Sequence, residues 1–197
     1  MIYDITRDLM NVSLPEGVPE VELTKLYSRE KGDICDESVL RACLHLGTHC
    51  DAFCHFVENG QDIAQISLEH FIGKCYVLSV PANTRITADH LQDRIPQGTK
   101  RLILHGNGNS YLSPDAADHL VRTGVITVGT DAWSISGPGD ETATHVTLLG
   151  HKVAVIEDLD LTQIPDGAYD LLAAPLKISH ADGAFCRAVL MDGTPSS

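Results

Sequence analysis

The side chains able to do chemistry concentrate in "HLGTHCDAFCHF" (45–56), where three histidines, one aspartate and two cysteines share twelve positions. Imidazoles and a carboxylate suit divalent cations such as Zn²⁺ or Mn²⁺, and two histidines with one carboxylate leave room for water. Reach then decides whether they can meet. In an extended chain His45, His49 and Asp51 share one face, yet residues 45 and 49 would lie about 13 Å apart. Each would have to approach one ion to about 2 Å, so the backbone must bend between them, and Gly47 permits the bend. Cys50 and Cys54 have the opposite parity and are expected to point away, which argues against a Cys–His structural zinc site. Nothing near either thiol is placed to lower its pKa for nucleophilic work. His55, four residues past Asp51, is near enough to carry protons beside a metal. Polar side chains at a strand end would explain any one of these histidines, but not the combination.

These residues need elements to hold them. "SVLRACLHLG" (38–47) alternates, with Leu40, Ala42, Leu44 and Leu46 on one face and Arg41, Cys43 and His45 on the other, which predicts a half-buried strand running into the cluster. Residues 12–37 are polar and turn-rich, a loop or arm crossing the surface. Apolar runs at 75–80, 101–106, 125–131, 153–158, 170–176 and 186–191 predict further strands. "SPDAADHLVRTG" predicts a helix with Ser113 as N-cap, Pro114 first and Gly124 just past the end. A shorter helix is expected from Thr87, and a third in "ETATHVTLLG", closed by Gly150. Strands outnumber helices and alternate with them only mid-chain, so the fold class is α/β or α+β with a mixed sheet. With no repeat or linker, the 197 residues form one domain.

Lys and Arg number 14 and Asp and Glu 27, for a net charge of −13 that disfavours nucleic acid and anionic membranes as partners. No apolar run approaches the roughly 20 residues of a membrane span, and "MIYDITRDLM" carries acids where a signal peptide has a basic end. A soluble, cytoplasmic protein with reduced cysteines is expected. His70, His90, His105, His119 and His180 are isolated and fit surface or capping roles. "HGNGNS" (105–110) lacks the spacing and the lysine of a phosphate loop.

"HLGTHCDAFCHF" resembles the H-x-G-T-H-x-D-x-P-x-H motif of the cyclase superfamily, which includes bacterial kynurenine formamidase (arylformamidase) and isatin hydrolase. "THVTLLGHKVAVIEDLDLTQIP" is similar to the family segment in which a glutamate follows a histidine by twelve residues, here His145 and Glu157. "VGTDAWS" and "LAAPLKISHADGAFCRAVL" resemble its G-x-D-x-x-S stretch and its C-terminal strand pair, so the likeness runs over nearly the whole chain. Phe53 stands at the family's proline, Leu14 at an aromatic position of its W-P-G-D-P stretch, and Ser136 where a second aspartate is common.

The resemblance implies a swivelling β/β/α-type fold with a mixed sheet and few helices. It implies one or two ions per subunit, Zn²⁺ or Mn²⁺. His45, His49 and Asp51 would hold the first, and Asp51, His145 and Glu157 the second, with Asp51 bridging. His55 would be the proton donor and acceptor. Taken alone, His145 is a mid-helix histidine and Glu157 a strand-end acid. Leu14, Phe53 and Trp133 are candidate substrate contacts, although an only tryptophan fits the core at least as well. The implied activity is hydrolysis of a small amide, lactam, lactone or ester by metal-activated water, and the aliphatic Leu14 argues against N-formylkynurenine itself. A ring-closing cyclase or dehydratase, and a metal-binding module without catalysis, are the alternatives. Relatives pair with sites near subunit contacts, so a homodimer or larger homo-oligomer is expected.

Overall fold

Four adjacent parallel strands make the spine of the molecule, and antiparallel strands extend it on both sides. The structure, a computed structural model, describes residues 1–192. Its strands are β1 (Ile2–Asp4), β2 (Glu22–Tyr27), β3 (Glu37–Arg41), β4 (His49–Asp51), β5 (Ile72–Ser79), β6 (Arg85–Ile86) and β7 (Arg101–His105). They continue with β8 (Tyr111–Leu112), β9 (Thr127–Thr130), β10 (Ala154–Glu157), β11 (Gly167–Leu172), β12 (Gly183–Phe185) and β13 (Val189–Asp192). The helices are α1 (Ala88–Leu91), α2 (Pro114–Thr123) and α3 (Glu141–Gly150). The main sheet has nine strands in the order β1-β13-β11-β5-β7-β9-β10-β4-β12. β5, β7, β9 and β10 are mutually parallel, and the remaining neighbours are antiparallel.

Parallel neighbours need crossovers, which is where the three helices fall: α1 between β5 and β7, α2 between β7 and β9, α3 between β9 and β10. Strands covered on both faces carry unbroken apolar runs instead of alternation. "LIL" of β7 and "AVI" of β10 are accordingly buried throughout. The α+β class, the mixed sheet and the scarcity of helices agree with the expectation from sequence. Among the described residues no helix is long and apolar enough to cross a membrane.

Local signals act as anticipated in α2. The Ser113 hydroxyl accepts from the Ala116 N–H (3.4 Å) and donates to the Ile86 carbonyl (2.7 Å). Gly124 ends the helix in the left-handed region, φ +80°. His90 is a capping residue, its Nδ1 accepting from the Thr87 N–H at 3.1 Å. In α3, Gly150 lies inside the last turn and His151 is the cap.

Two expectations need correction. The strand anticipated over 38–47 ends at Arg41 and is exposed on both faces, because its partner is β2 and not the main sheet. Residues 42–48 are irregular, turning over 44–48, with Leu46 buried and Leu44 half-buried. The arm therefore holds a two-stranded ribbon reaching past residue 37. The run 186–191 is likewise not one strand: Cys186 lies between β12 and β13, bridging to Pro175.

Replacing Ser113 by Ala removes a buried N-cap, and the expected loss of unfolding free energy is about 1–2 kcal/mol. Urea titration checks it, with a lowered midpoint and an unchanged slope.

Candidate metal centre

A three-residue strand carries the centre of the site. In β4, His49 and Asp51 point to one face while Cys50 points to the other, its Sγ 3.4 Å from the Ala173 carbonyl in the core. β10 runs antiparallel to β4 with Glu157 directly opposite His49, so pairing register alone brings the two side chains to the same face. α3 delivers His145, and the turn before β4 delivers His45. The bend at Gly47 has φ +63°, in the region glycine adopts without strain.

Backbone carbonyls set the ring orientations. His49 Nδ1 lies 2.7 Å from the Gly47 carbonyl, and His145 Nδ1 lies 2.8 Å from the Glu141 carbonyl and 3.2 Å from Ser136 Oγ. A carbonyl can only accept, so each Nδ1 donates to its carbonyl and each Nε2 is the nitrogen that faces the site. His49 Nε2 is 3.4 Å from Asp51 Oδ1 and 3.3 Å from Glu157 Oε2. His145 Nε2 is 3.7 Å from Asp51 Oδ2 and 3.4 Å from Glu157 Oε1. His45 Nδ1 is 2.9 Å from Asp51 Oδ1. Glu157 thus turns one oxygen to each of two histidines, a wider reach than the resemblance assigned it.

The donors fit a cation. Among the described residues, His45 Nε2, His49 Nε2 and Asp51 Oδ2 are buried without a hydrogen-bond partner, which is costly for polar atoms unless something else satisfies them. Donor atoms of His49, Asp51 and Glu157 lie within 4.8 Å of one another, as do those of His45, Asp51 and His55. The two sets share Asp51, and all donors are nitrogen or oxygen, as Zn²⁺ and Mn²⁺ accept.

Electrostatics tie these groups together. Burial alone would depress the pKa of His49, yet the Asp51 and Glu157 carboxylates outweigh it and hold the imidazole well above its ordinary value. For His145 burial is likewise overcome, chiefly by Glu157, leaving the group at about 8. Burial works against ionised Asp51 too, but His45 and His49 keep its pKa low. Glu157, pushed up by burial and by Asp51, is brought below its usual range by His145 and His49. His55 differs: burial dominates and lowers its pKa, so it is a neutral base near pH 7. Its ring stacks on His45 at 3.9 Å.

The candidate substrate contacts fare differently. Phe53 is buried in the core with its ring edge-on to His70, so it offers no surface to a substrate. Trp133 is 51% exposed, which corrects the core alternative. It donates from Nε1 to Tyr111 Oη (3.1 Å) and lines a cleft with Arg7, Asn11, Ser13, Asn109 and Asp158. Leu14 is exposed, at a shallow groove with Leu9, Met10, Val12 and Val21.

Sequence reasoning missed several supports. Thr48, inside the motif, accepts from the Arg7 N–H (2.9 Å) and donates to the Asp158 carbonyl (2.7 Å), tying the N-terminal segment to the end of β10. The Ile135 N–H donates to Glu157 Oε1 at 2.7 Å. Phe56 stacks on His145 at 4.4 Å. Gly183 of β12 lies opposite Asp51, and a Cβ there would sit 2.7 Å from His45 Cε1 and 3.0 Å from the Cys50 carbonyl oxygen. Of these, only the Thr48 position had a signal, as part of the motif.

Known proteins resemble this chain over most of its length. The family model described as "Putative cyclase" matches residues 3–136. The chain is 30% identical over 199 residues to the kynurenine formamidase of Bacillus anthracis, covering 95% of each. It is 31% identical over 202 residues to that of Erythrobacter litoralis, covering 97% of this chain and 94% of the other. A solved structure described as a potential metal-dependent hydrolase with cyclase activity matches with TM-score 0.86 and 28% identity over 99% of both chains. An isatin hydrolase bound to the product analogue thioisatinate shares the fold, with TM-score 0.80 and 19% identity over 96% of this chain and 91% of that one.

Two predictions concern metal uptake. Gly183→Ala crowds His45 and is expected to weaken binding of Zn²⁺ or Co²⁺ by about 10–100-fold with the circular dichroism spectrum kept; metal titration of the stripped protein measures it. In the stripped protein the raised pKa of His145 makes its proton stabilising below 6.5, a contribution lost as pH rises through about 8. A cation competes for that same nitrogen, so metal affinity should rise across this interval, with proton release. Calorimetric titration in two buffers of different ionisation enthalpy tests the sign, and pH-independent binding would contradict it.

Proposed function

This chain belongs to the cyclase family of metal-dependent hydrolases, and we propose that it cleaves the carbonyl–nitrogen bond of a small amide, an aryl formamide being the type to test first. The observation that carries the reading is the convergence of His49 Nε2, His145 Nε2 and both Glu157 oxygens around the buried Asp51, with neutral His55 beside them. The full-length likeness to two kynurenine formamidases supports the substrate type.

His45, His49 and Asp51 would hold one Zn²⁺ or Mn²⁺, and Asp51, His145 and Glu157 a second. Such an ion supplies Lewis-acid activation of water and of the substrate carbonyl. The rest falls to the chain's own groups. An amide nitrogen leaves poorly unless it is protonated, so a neutral base that first takes a proton from water and then returns it to nitrogen serves both halves of the reaction. His55 has that protonation state, and a ring nitrogen within 4.8 Å of the Asp51 carboxylate group. The Glu141 and Gly47 carbonyls hold the two imidazoles with Nε2 inward, and Ile135 fixes one Glu157 oxygen. The exposed indole of Trp133 offers a flat face to an aromatic ring.

A cyclase or dehydratase using the same donors is the second reading, carried by the description of the structural relative with cyclase activity. Formanilides, isatin and simple lactones separate the two, since a pure ring-closing enzyme leaves all of them intact.

The purified protein is expected to release aniline from formanilide, to lose this activity on chelation and to regain it with Zn²⁺ or Mn²⁺. His55→Ala should retain metal while turnover falls about 10²–10⁴-fold, and His49→Ala should lose metal. Undiminished turnover in His55→Ala at saturating metal would remove the proton-carrying role. Stoichiometric metal without chelator-sensitive activity on any of these compounds would favour a binding module.

A further inference from the structure

The only tryptophan of the chain stands half out of the protein and is nevertheless tethered. Trp133 is 51% exposed, and its Nε1–H donates to Tyr111 Oη at 3.1 Å. Tyr111 is held in turn by the loop that carries Trp133. A Cβ on Gly137 would lie 3.1 Å from Tyr111 Cγ, so the phenol ring packs directly over that glycine. The next residue of β8, Leu112, donates its N–H to the Ile135 carbonyl at 2.7 Å. Strand β8 therefore grips the loop at Trp133, Ile135 and Gly137.

The same loop reaches the candidate metal centre. Ser134 Oγ and the Ile135 N–H contact Glu157 Oε1 at 3.4 and 2.7 Å. Asp158, the residue after Glu157, lines the cleft that Trp133 lines, so chain neighbours of a candidate ligand flank that cleft. Two cavities adjoin the aromatic pair. Trp133 borders the cleft of about 390 Å³, and Tyr111 borders a pocket of about 470 Å³ with Arg85, Gly137 and Asp140. Asn109 lines both, and the Tyr111–Trp133 hydrogen bond stands between them.

We propose that Tyr111 is a positioning residue whose bridge to Trp133 forms the specificity wall of the cleft. It holds the indole as a platform for the substrate's aryl ring and closes the cleft toward the pocket beyond. The inference rests on the reading of the chain as an aryl-formamide hydrolase, and adds to it the group that selects the aryl ring. Aromatic rings attract one another in offset or edge-to-face arrangements, which requires both to be in place. A surface indole free to change rotamer would have to be ordered by each substrate, and ordering one such side chain weakens binding about 2–10-fold. The Tyr111 hydroxyl does the ordering before substrate arrives. The indole would touch the ring and not the reacting carbonyl, so its contribution is the same in ground and transition states and falls on KM.

Tyr111→Phe keeps the ring and deletes only the hydroxyl. It should raise KM for formanilide about 2–10-fold with little change in kcat. N-butylformamide, which has no ring to stack, should lose less, so the preference for the aryl compound falls. The steady-state anisotropy of Trp133 emission should drop, a signal that no second tryptophan obscures. Formanilide mixed with the metal-loaded wild type in a stopped flow should quench that emission saturably before turnover, with a higher midpoint in Tyr111→Phe. Tyr111→Ala, once shown to be folded by circular dichroism, should gain on 4-phenylformanilide relative to formanilide, because the partition is gone. Quenching without release of aniline would leave the wall standing and remove the hydrolase reading instead. Wild type unquenched by millimolar formanilide, a Tyr111→Phe protein with wild-type anisotropy and midpoint, or a folded Tyr111→Ala protein that gains nothing on the longer compound would each overturn the proposal.

Discussion

A carboxylate with no access to solvent sits at the centre of this protein, and most of the surrounding architecture answers to it. Asp51 is fully buried between imidazoles, and an ionised group in that position persists only when opposite charge meets it at close range. His45 and His49 come from its own chain segment, while His145 and Glu157 come from the crossover helix and strand that follow β9. In the metal-free protein, protons on the histidines balance the carboxylates. A cation would displace those protons and take the same nitrogens, so folding electrostatics and metal affinity draw on one set of atoms.

The fold makes this cluster with few long-range decisions. Antiparallel pairing of β4 with β10 sets Glu157 opposite His49, and pairing of β4 with β12 sets Gly183 opposite Asp51. One neighbour contributes a ligand candidate and the other contributes the absence of a side chain, which makes space for the His45 ring. Around them, carbonyls of Gly47 and Glu141 select the tautomers, and Thr48 anchors the motif to Arg7 and Asp158. The chemistry is thus held by backbone groups, whose positions are difficult to perturb without unfolding.

Much of this was legible in the sequence because local constraints are written locally. The bend at Gly47 follows from the reach of an extended chain, the departure of Cys50 from strand parity, and the limits of α2 from Ser113, Pro114 and Gly124. His145 and Glu157 became visible only through family likeness, since their proximity to Asp51 is created by strand order, which no local pattern records. Phe53 and the stretch 38–47 show the opposite failure. An apolar alternation signals two faces, but not whether a sheet covers either of them, and β3 pairs away from the body. Gly183 carried no signal because its role is to leave a volume empty for a residue far away in the chain.

Everything above turns on whether these converging donors hold metal at Asp51. Anomalous diffraction at the zinc and manganese edges from crystals of the protein tests it most directly. Two peaks are expected, one between His45, His49 and Asp51 and the other between Asp51, His145 and Glu157, with Asp51 common to both. A single peak would remove the bridging role of Asp51. No peak in this cluster, with ions bound elsewhere or nowhere, would show that Asp51 and its neighbours are not a metal centre.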